Sequence, residues 1–411
     1  MRRRPAFWTF PVVAAWLCAC AHQSVPSLLP ANGGAEARTT RSYHVLHSFG
    51  TGNDGAVPAA GLTVFRGHLY GTTVDGGALG VGTVYRMSTS GEEHVIHSFD
   101  YSDGSRPEAN LLEVSDALYG TTTYGGAHGF GAAFKVTRTG TESVVYSLRG
   151  YNFGANPLAD VSELNGTLYG TGYDAGGGCG YVGCGVVFQA SPNGGGRILH
   201  SFGSGFGRPQ DPSNPQGGLL PLNGVLYGTT NLGGDGALGT VYRISPATGR
   251  VQVLHDFAND GDGWNPLGDL TLYDGLLYGT TQFGGSGTKC AGAGGCGTVY
   301  RITPGGTYAI LYSFQGGTDG TYPSAGVVVL NGMLYGTTQL GGSHCTGSGG
   351  CGTVFSLTPS GQERILHSFA GGSDGAQPNA ALTAYRGILY GTTTAGGSAN
   401  GGTAFALTPS P

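Results

Sequence analysis

The stretch GLLPLNGVLYGTTNLGGDGALGTVYRISPATGRVQVLHDF, residues 218–257, decides the fold. Asn223-Gly224 accepts the positive φ angles of a type I′ turn, so the apolar runs on either side of it form a tight hairpin. Ser245-Pro246-x-x-Gly249 marks a second short connection. Between the two hairpins, a Gly-Gly loop separates LYGTT from GTVYR. The runs are four to seven residues long, rich in β-branched and aromatic residues, and bounded by Gly, Asn, Asp or Pro, which is strand chemistry. Nothing in the stretch keeps a helical period.

Outward from this stretch the chain repeats itself. The Leu-Tyr-Gly tyrosine recurs at Tyr70, Tyr119, Tyr169, Tyr227, Tyr278, Tyr335 and Tyr390, at intervals of 49, 50, 58, 51, 57 and 55 residues. Each unit has an apolar run ending His-Ser-Phe or a relative, as in HVLHSF (44–49) and RILHSF (197–202). A loop with Asp-Gly and then Pro leads to a short run such as GLTVF (61–65), and LYGTT and GTVYR or GTVFS follow. The turn before LYG is Asn-Gly at 165–166, 223–224 and 331–332, and Asp-Gly at 274–275. Thr-Pro-x-Gly connections close the second hairpin. Four segments in seven copies predict 28 strands, and repeats of this length match propeller blades better than solenoid coils. The ends complete each other: YHVLHSF (43–49) has no blade of its own, while the last unit (381–407) has three strands and lacks an outer one. The expected fold is all-β, a seven-bladed β-propeller of four-stranded blades over 43–411, closed by the N-terminal strand joining the last blade. An open array would leave unpaired edges, which invite aggregation.

The pattern LYGTT…GG…G…GTVF…TPSG…LHSF…DG…P resembles the choice-of-anchor GloVer tandem repeat of bacterial surface proteins, and the resemblance covers residues 43–408. It implies export and attachment by an anchor. No catalytic residues come with it, because the shared motif is structural.

Residues 1–20, MRRRPAFWTFPVVAAWLCAC, read as a lipoprotein signal peptide. A basic start precedes an apolar stretch too short to span a bilayer, and Leu17-Cys18-Ala19-Cys20 resembles the bacterial lipobox. That resemblance implies lipidation of Cys20. Ala21 follows it, not aspartate, which favours the outer membrane or cell surface. Residues 21–42 read as a flexible tether, and the lipid chain is the only membrane contact expected. An ordinary signal peptide cut nearby is the alternative.

Glycine supplies 82 residues and proline 20, about a quarter of the chain, a level that suggests disorder until the 39% of hydrophobic residues is weighed against it. Charges are sparse and mixed: 19 Lys and Arg against 24 Asp and Glu, or 16 against 24 once Arg2, Arg3 and Arg4 leave with the leader. A mildly acidic surface without a basic patch excludes nucleic acid as a partner. A monomer is expected.

Successive strands run up and down, so the Asn-Gly and Thr-Pro-x-Gly turns share one face. The Gly-Gly and Asp-Gly…Pro loops share the other, where the length variation lies. The pairs Cys179/Cys184, Cys290/Cys296 and Cys345/Cys351 bracket Gly-rich loops on that second face. In an exported chain they predict three local disulfides and not a metal site, which would need four converging ligands. Phe130, Tyr151, Phe153, Tyr181, Phe206, Trp264 and Tyr322 fall on the same face. Aromatics among Asp and Asn suit carbohydrate or peptide recognition, whereas the bland reading has them plugging gaps between blades. Asp54, Asp103, Asp260, Asp319 and Asp374 recur before glycine, a turn-forming role. Asp262 adds a second in unit five, and NDGDG (259–263) makes Asp260 and Asp262 a weak calcium candidate. His47, His97, His200, His255 and His367 recur on one strand, with Tyr146 and Tyr312 in the equivalent place, and read as packing residues. No Ser/His/Asp set or carboxylate pair stands out, so no catalytic residue and no cofactor are assigned. The functions in view are a noncatalytic binding or adhesion module for a polysaccharide or surface protein, an envelope scaffold, and an exported carbohydrate-active enzyme.

Overall fold

Each unit becomes one antiparallel four-stranded blade in the computed structural model, which describes residues 42–177, 183–203, 211–258, 261–290, 294–345 and 350–409. Blade 1 consists of Thr63–Phe65, His68–Thr73, Thr83–Met87 and Glu93–Ser98, hydrogen-bonded in that order from the short strand outward. Blades 2 to 6 repeat this order. Blade 7 takes Thr383–Tyr385, Ile388–Thr393 and Thr403–Thr408, and its outer strand is Ser42–Ser48 from the other end of the chain. The register runs Ser42 opposite Thr408 to Ser48 opposite Thr403. The fold is the seven-bladed β-propeller expected, closed by the N-terminal strand. Among the described residues, no helix is long and apolar enough to cross a membrane.

The three-residue strands are the innermost, a point the repeats alone leave open. Thr63 Oγ1 donates to the Leu111 carbonyl and Thr383 Oγ1 to that of Leu62, so these strands meet their counterparts across neighbouring blades. One layer out, the first threonine of each Gly-Thr-Thr (Gly-Thr-Gly in blade 3) donates to the next blade: Thr72 to Ala109, Thr121 to Ala159, Thr171 to Gly217, Thr229 to Gly268, Thr280 to Ala325, Thr337 to Ala380 and Thr392 to Ala60. The last of these closes the ring.

The prolines mark a second set of stitches. The residue before each one (Val57, Arg106, Asn156, Asn214, Asn265, Tyr322, Gln377) has φ between 54° and 59°. In that conformation its N–H donates to the preceding blade, as Val57 does to Gly401 O and Asn265 to Leu238 O. Its carbonyl accepts from the residue after the second strand of its own blade. The glycine before the third strand completes the joint. A β-carbon at Gly239, where φ is 106°, would lie 2.6 Å from Pro266 Cδ of the next blade.

Hydrophobic side chains pack between blades, so there is a core at each seam and none at the middle of the ring. The Phe of His-Ser-Phe lies there fully buried, with Leu148 in its place in blade 2. Beside it stands an aromatic from the third strand: Tyr85, Phe134, Phe188, Tyr242, Tyr300, Phe355 or Phe405. The three tyrosine hydroxyls are buried with no hydrogen-bond partner, whereas four blades place phenylalanine there. An unpaired buried hydroxyl costs about 1–3 kcal/mol. Tyr300→Phe is therefore expected to raise stability by about 1 kcal/mol in urea unfolding, and a loss would show that the hydroxyl has a partner.

The type I′ turn recurs in every blade. Besides the Asn-Gly and Asp-Gly pairs, Arg66-Gly67, Arg386-Gly387 and even Ser115-Asp116 adopt positive φ at both positions. Each outer strand also carries a bulge, as between Val84 and Tyr85, where Ile96 is left unpaired. The bulge changes the facing of the residues after it, which turns the His of His-Ser-Phe toward the following loop.

Candidate functional site

Two residues before each innermost strand lies a column that differs from blade to blade: Gly61, Asn110, Asp160, Gly218, Asp269, Gly326 and Ala381. Small residues there let the chain approach the axis; the three polar ones point into it. A β-carbon at Gly218 would lie 2.0 Å from Asp160 Oδ1 and 3.1 Å from Asp269 Oδ1. The glycine thus makes room for both carboxylates, whose oxygens stand within about 5 Å of each other. Asn110 donates its side-chain N–H to Asp160 and accepts the Gly61 N–H at 2.7 Å. Asp269 accepts the Gly218 N–H. Enclosure by the ring pushes the Asp160 carboxyl well above the usual range, and the Asp269 charge adds to this, against the Asn110 bond. Asp269 is raised by the same enclosure. Both carboxyls keep some contact with the channel.

Two cavities meet at this pair. One, of about 350 Å³, lies on the loop-rich face and is rimmed by Glu108, Gln216, Gln282, Gln339 and Asn379. Burial raises Glu108 too, opposed by Arg106. The other, of about 600 Å³, opens toward the tight turns through blades 2 to 5. Among the described residues, no Lys, Arg or His lines either cavity. Amide groups, carboxyls and the absence of cations favour a neutral, polyhydroxylated or cationic guest and disfavour an anion.

Sequence reasoning missed Asp160 and Asp269 because each sits at the start of a short apolar run and looks like a turn residue. Lining up the seven copies at that one column was the available signal. Glu108 lines the axial cavity as well.

Among the described residues, the predicted aromatics fall into two groups. Tyr151 and Phe153 are 79% and 52% exposed, with the Phe130 ring 6.2 Å from that of Tyr151. Trp264 stacks on Phe283 at 4.4 Å and donates its indole N–H to Gly294 O, and Tyr322 meets Phe283 edge to face at 5.0 Å. Tyr101 and Tyr124, absent from the sequence-based set, are exposed on the same face as Tyr151. Tyr181, Phe206, Cys179 and Asp260 lie outside the described residues, as does Cys20.

Cys290–Cys296 and Cys345–Cys351 are disulfides with Cα atoms 5.5 Å apart, and Cys184 is also disulfide-bonded. The carbonyls of Cys184, Cys296 and Cys351 accept the N–H before the next proline, so the bridges brace the stitches between blades. Disulfides fit an exported protein.

The repeated histidines and aspartates pair with each other. His47 meets Asp54 at 3.2 Å, His97 meets Asp103 at 2.9 Å, and His367 meets Asp374 at 3.1 Å. In unit five the paired residue is Asp262, 3.0 Å from His255, with its other oxygen on the Ala258 N–H. Asp260, the other member of the calcium candidate, lies outside the described residues. Tyr312 donates to Asp319 in the same place. The next blade covers these pairs with Glu93 and Glu363 or with a tyrosine stacked on the imidazole, Tyr43 on His367 and Tyr308 on His255.

Burial, and then the neighbouring Asp54, push Glu93 up to about 7, while burial and Asp319 push Glu363 up to about 8. A carboxyl raised in the fold holds its proton more tightly there than when unfolded. The stabilisation is complete below the ordinary value of 4.5 and is lost as pH rises through about 7 and 8. The thermal midpoint in chelator is therefore expected to fall between about pH 5 and pH 8, and to fall less in Glu93→Gln/Glu363→Gln. Equal slopes in the two proteins would contradict this account.

Comparison with solved structures gives distant likenesses. A nidogen/laminin complex matches at 15% identity and TM-score 0.43, over 70% of this chain and 90% of that one. A putative 6-phosphogluconolactonase from Bacteroides uniformis matches at 14% and 0.48, over 75% and 84%. A gluconolactonase from Xanthomonas campestris matches at 14% and 0.40, over 67% and 78%. At these values the likeness extends to no activity. No curated protein matches the chain. The model of the Gloeobacter/Verrucomicrobia repeat matches residues 35–212 and 178–405, nearly the whole propeller. The chain belongs to the Gloeobacter/Verrucomicrobia repeat family.

Proposed function

We propose that this protein is an exported, lipid-anchored recognition module that binds a neutral or amino-bearing carbohydrate at the propeller axis. One observation carries the reading: the axial cavity on the loop-rich face breaks the sevenfold pattern with Asn110, Asp160 and Asp269 beneath a rim of amides. Repeated residues serve the blade, whereas blade-specific polar groups converging on a cavity serve a ligand. Amides and carboxyls arranged around a cavity match the alternating donors and acceptors of sugar hydroxyls. Export and anchoring are supported by the Leu17-Cys18-Ala19-Cys20 sequence and by the disulfides, and residues 21–42 would hold the propeller off the membrane.

A second reading, an exported glycoside hydrolase or lyase, is favoured by the proximity of the two carboxyls, because neighbouring carboxyls with raised proton affinity are the acid and base set of glycosidic cleavage.

The test is a glycan array on residues 36–411, with any bound sugar then checked for cleavage. Binding to neutral or amino sugars over sulfated or uronic ones is expected. Asp160→Asn/Asp269→Asn, which keeps the shape of the protonated acids, is expected to weaken it at least about tenfold without lowering the melting temperature. Undiminished binding in that variant would remove the axis as the site. Cleavage lost in the variant would establish the enzyme. A blank array on folded protein would overturn the carbohydrate reading in favour of a protein partner.

A further inference from the structure

The seam between blades 1 and 2 departs from its counterparts. Around His47, His255, Tyr312 and His367 the paired aspartate follows by seven residues, whereas Asp103 follows His97 by six, with Asp100 in the shortened loop. Asp103 turns one oxygen to the Asp100 N–H and the other to His97 Nε2, at 3.0 and 2.9 Å. Glu142 opens the outer strand of blade 2 and presents a buried carboxyl oxygen that has no hydrogen-bond partner, as Glu93 and Glu363 do at their own seams, but here the oxygen falls beside the imidazole and the aspartate together. The donor atoms of His97, Asp103 and Glu142 all lie within 4.8 Å of one another, the one such trio of His, Cys, Asp or Glu among the described residues. His97 and Asp103 are 17% exposed, so solvent reaches the cluster.

Three facts converge on a metal ion. A buried carboxylate oxygen without a partner is costly, and a cation removes that cost. Two carboxyls from consecutive blades converge on one imidazole, and a divalent ion offsets the repulsion between them. One nitrogen and two oxygens, leaving a fourth position to water, suit zinc or a neighbouring first-row ion, while calcium and magnesium need a larger all-oxygen set. Bonds of about 2.0–2.2 Å in a tetrahedral site place the donors roughly 3.3–3.5 Å apart, so a side-chain shift of about 1 Å closes the set.

We propose that His97, Asp103 and Glu142 form a divalent transition-metal site that staples blade 1 to blade 2. The site is independent of the axial cavity, and it acts by tying the outer strands of consecutive blades, whose natural failure is separation.

The test uses the full-length protein stripped with chelator and titrated calorimetrically with Zn²⁺. One saturable equivalent is expected, together with a rise in melting temperature. Glu142→Gln is expected to weaken binding by about tenfold or more, and Glu93→Gln, at the seam of blades 7 and 1, to leave it unchanged. Circular dichroism checks the fold of each variant. Co²⁺ bound to the wild-type protein gives a second readout that needs no variant, with the strong visible absorption of a four-coordinate site expected. No saturation at millimolar Zn²⁺, an unchanged affinity in Glu142→Gln, or the pale spectrum of six-coordinate Co²⁺ would each overturn the assignment.

Discussion

Removing residues 42–49 is expected to abolish cooperative folding of the propeller. This strand contributes the outer edge of blade 7, in register from Ser42 to Ser48 against Thr408 to Thr403. Phe49 is fully buried between blades 7 and 1. Tyr43 stacks on His367 at 3.7 Å and donates its hydroxyl to the Asp374 carbonyl at 2.6 Å. Burying each of these two rings is worth roughly 2–3 kcal/mol, against a net stability of about 5–15 kcal/mol for a typical domain. The deletion also bares Thr403–Thr408 as an open edge, which seeks another chain. Urea unfolding and light scattering decide the matter. A broad, probe-dependent transition with self-association is expected. A monomer that melts as sharply as the parent would mean that the ring holds without its closing strand. A synthetic peptide of residues 42–49 is expected to restore part of the transition by adding itself to that edge.

The second large effect is expected from Gly239→Ala. Its φ of 106° is strained for any residue with a β-carbon, and that carbon would sit 2.5 Å from the Thr230 carbonyl oxygen and 2.6 Å from Pro266 Cδ. Neither neighbour can give way: the carbonyl belongs to the second strand, and the proline ring is fixed by the residue before it. Backbone strain and overpacking together should cost about 3–5 kcal/mol. Gly224→Ala separates the two causes. Gly224 has φ of 78° in a type I′ turn, with nothing near its missing β-carbon. It should cost only about 1 kcal/mol. Equal losses at the two positions would show that the proline contact between blades contributes nothing. The same glycine–proline contact recurs at Gly82, Gly131, Gly185, Gly297, Gly352 and Gly402, so each is expected to behave as Gly239 does.

These two effects rest on features of different legibility. The closing strand was evident from the repeats, because a leftover first segment and a missing last one can be counted along the chain. The hairpins at Asn165-Gly166, Asn223-Gly224, Asp274-Gly275 and Asn331-Gly332 were equally plain, since a turn type follows from the φ preferences of two adjacent residues. The turn at Ser115-Asp116 was not. It has no glycine, and its conformation is held by the strands it joins, with Asp116 also paired to Arg66 at 2.8 Å.

The sequence by itself determined the number of blades, the face that carries the long loops and the way the ring closes. All of these depend on preferences that act between neighbours in the chain. Tertiary structure decided the rest. The outer-strand bulge turns His97 toward Asp103, and only the seating of blade 2 brings Glu142 to them. Asp160 and Asp269 are 109 residues apart and meet because seven blades of this width converge on one axis across Gly218. Whether a polar residue just before an inner strand faces solvent, a neighbour or another carboxylate is settled by the closure of the ring, and no local preference encodes it.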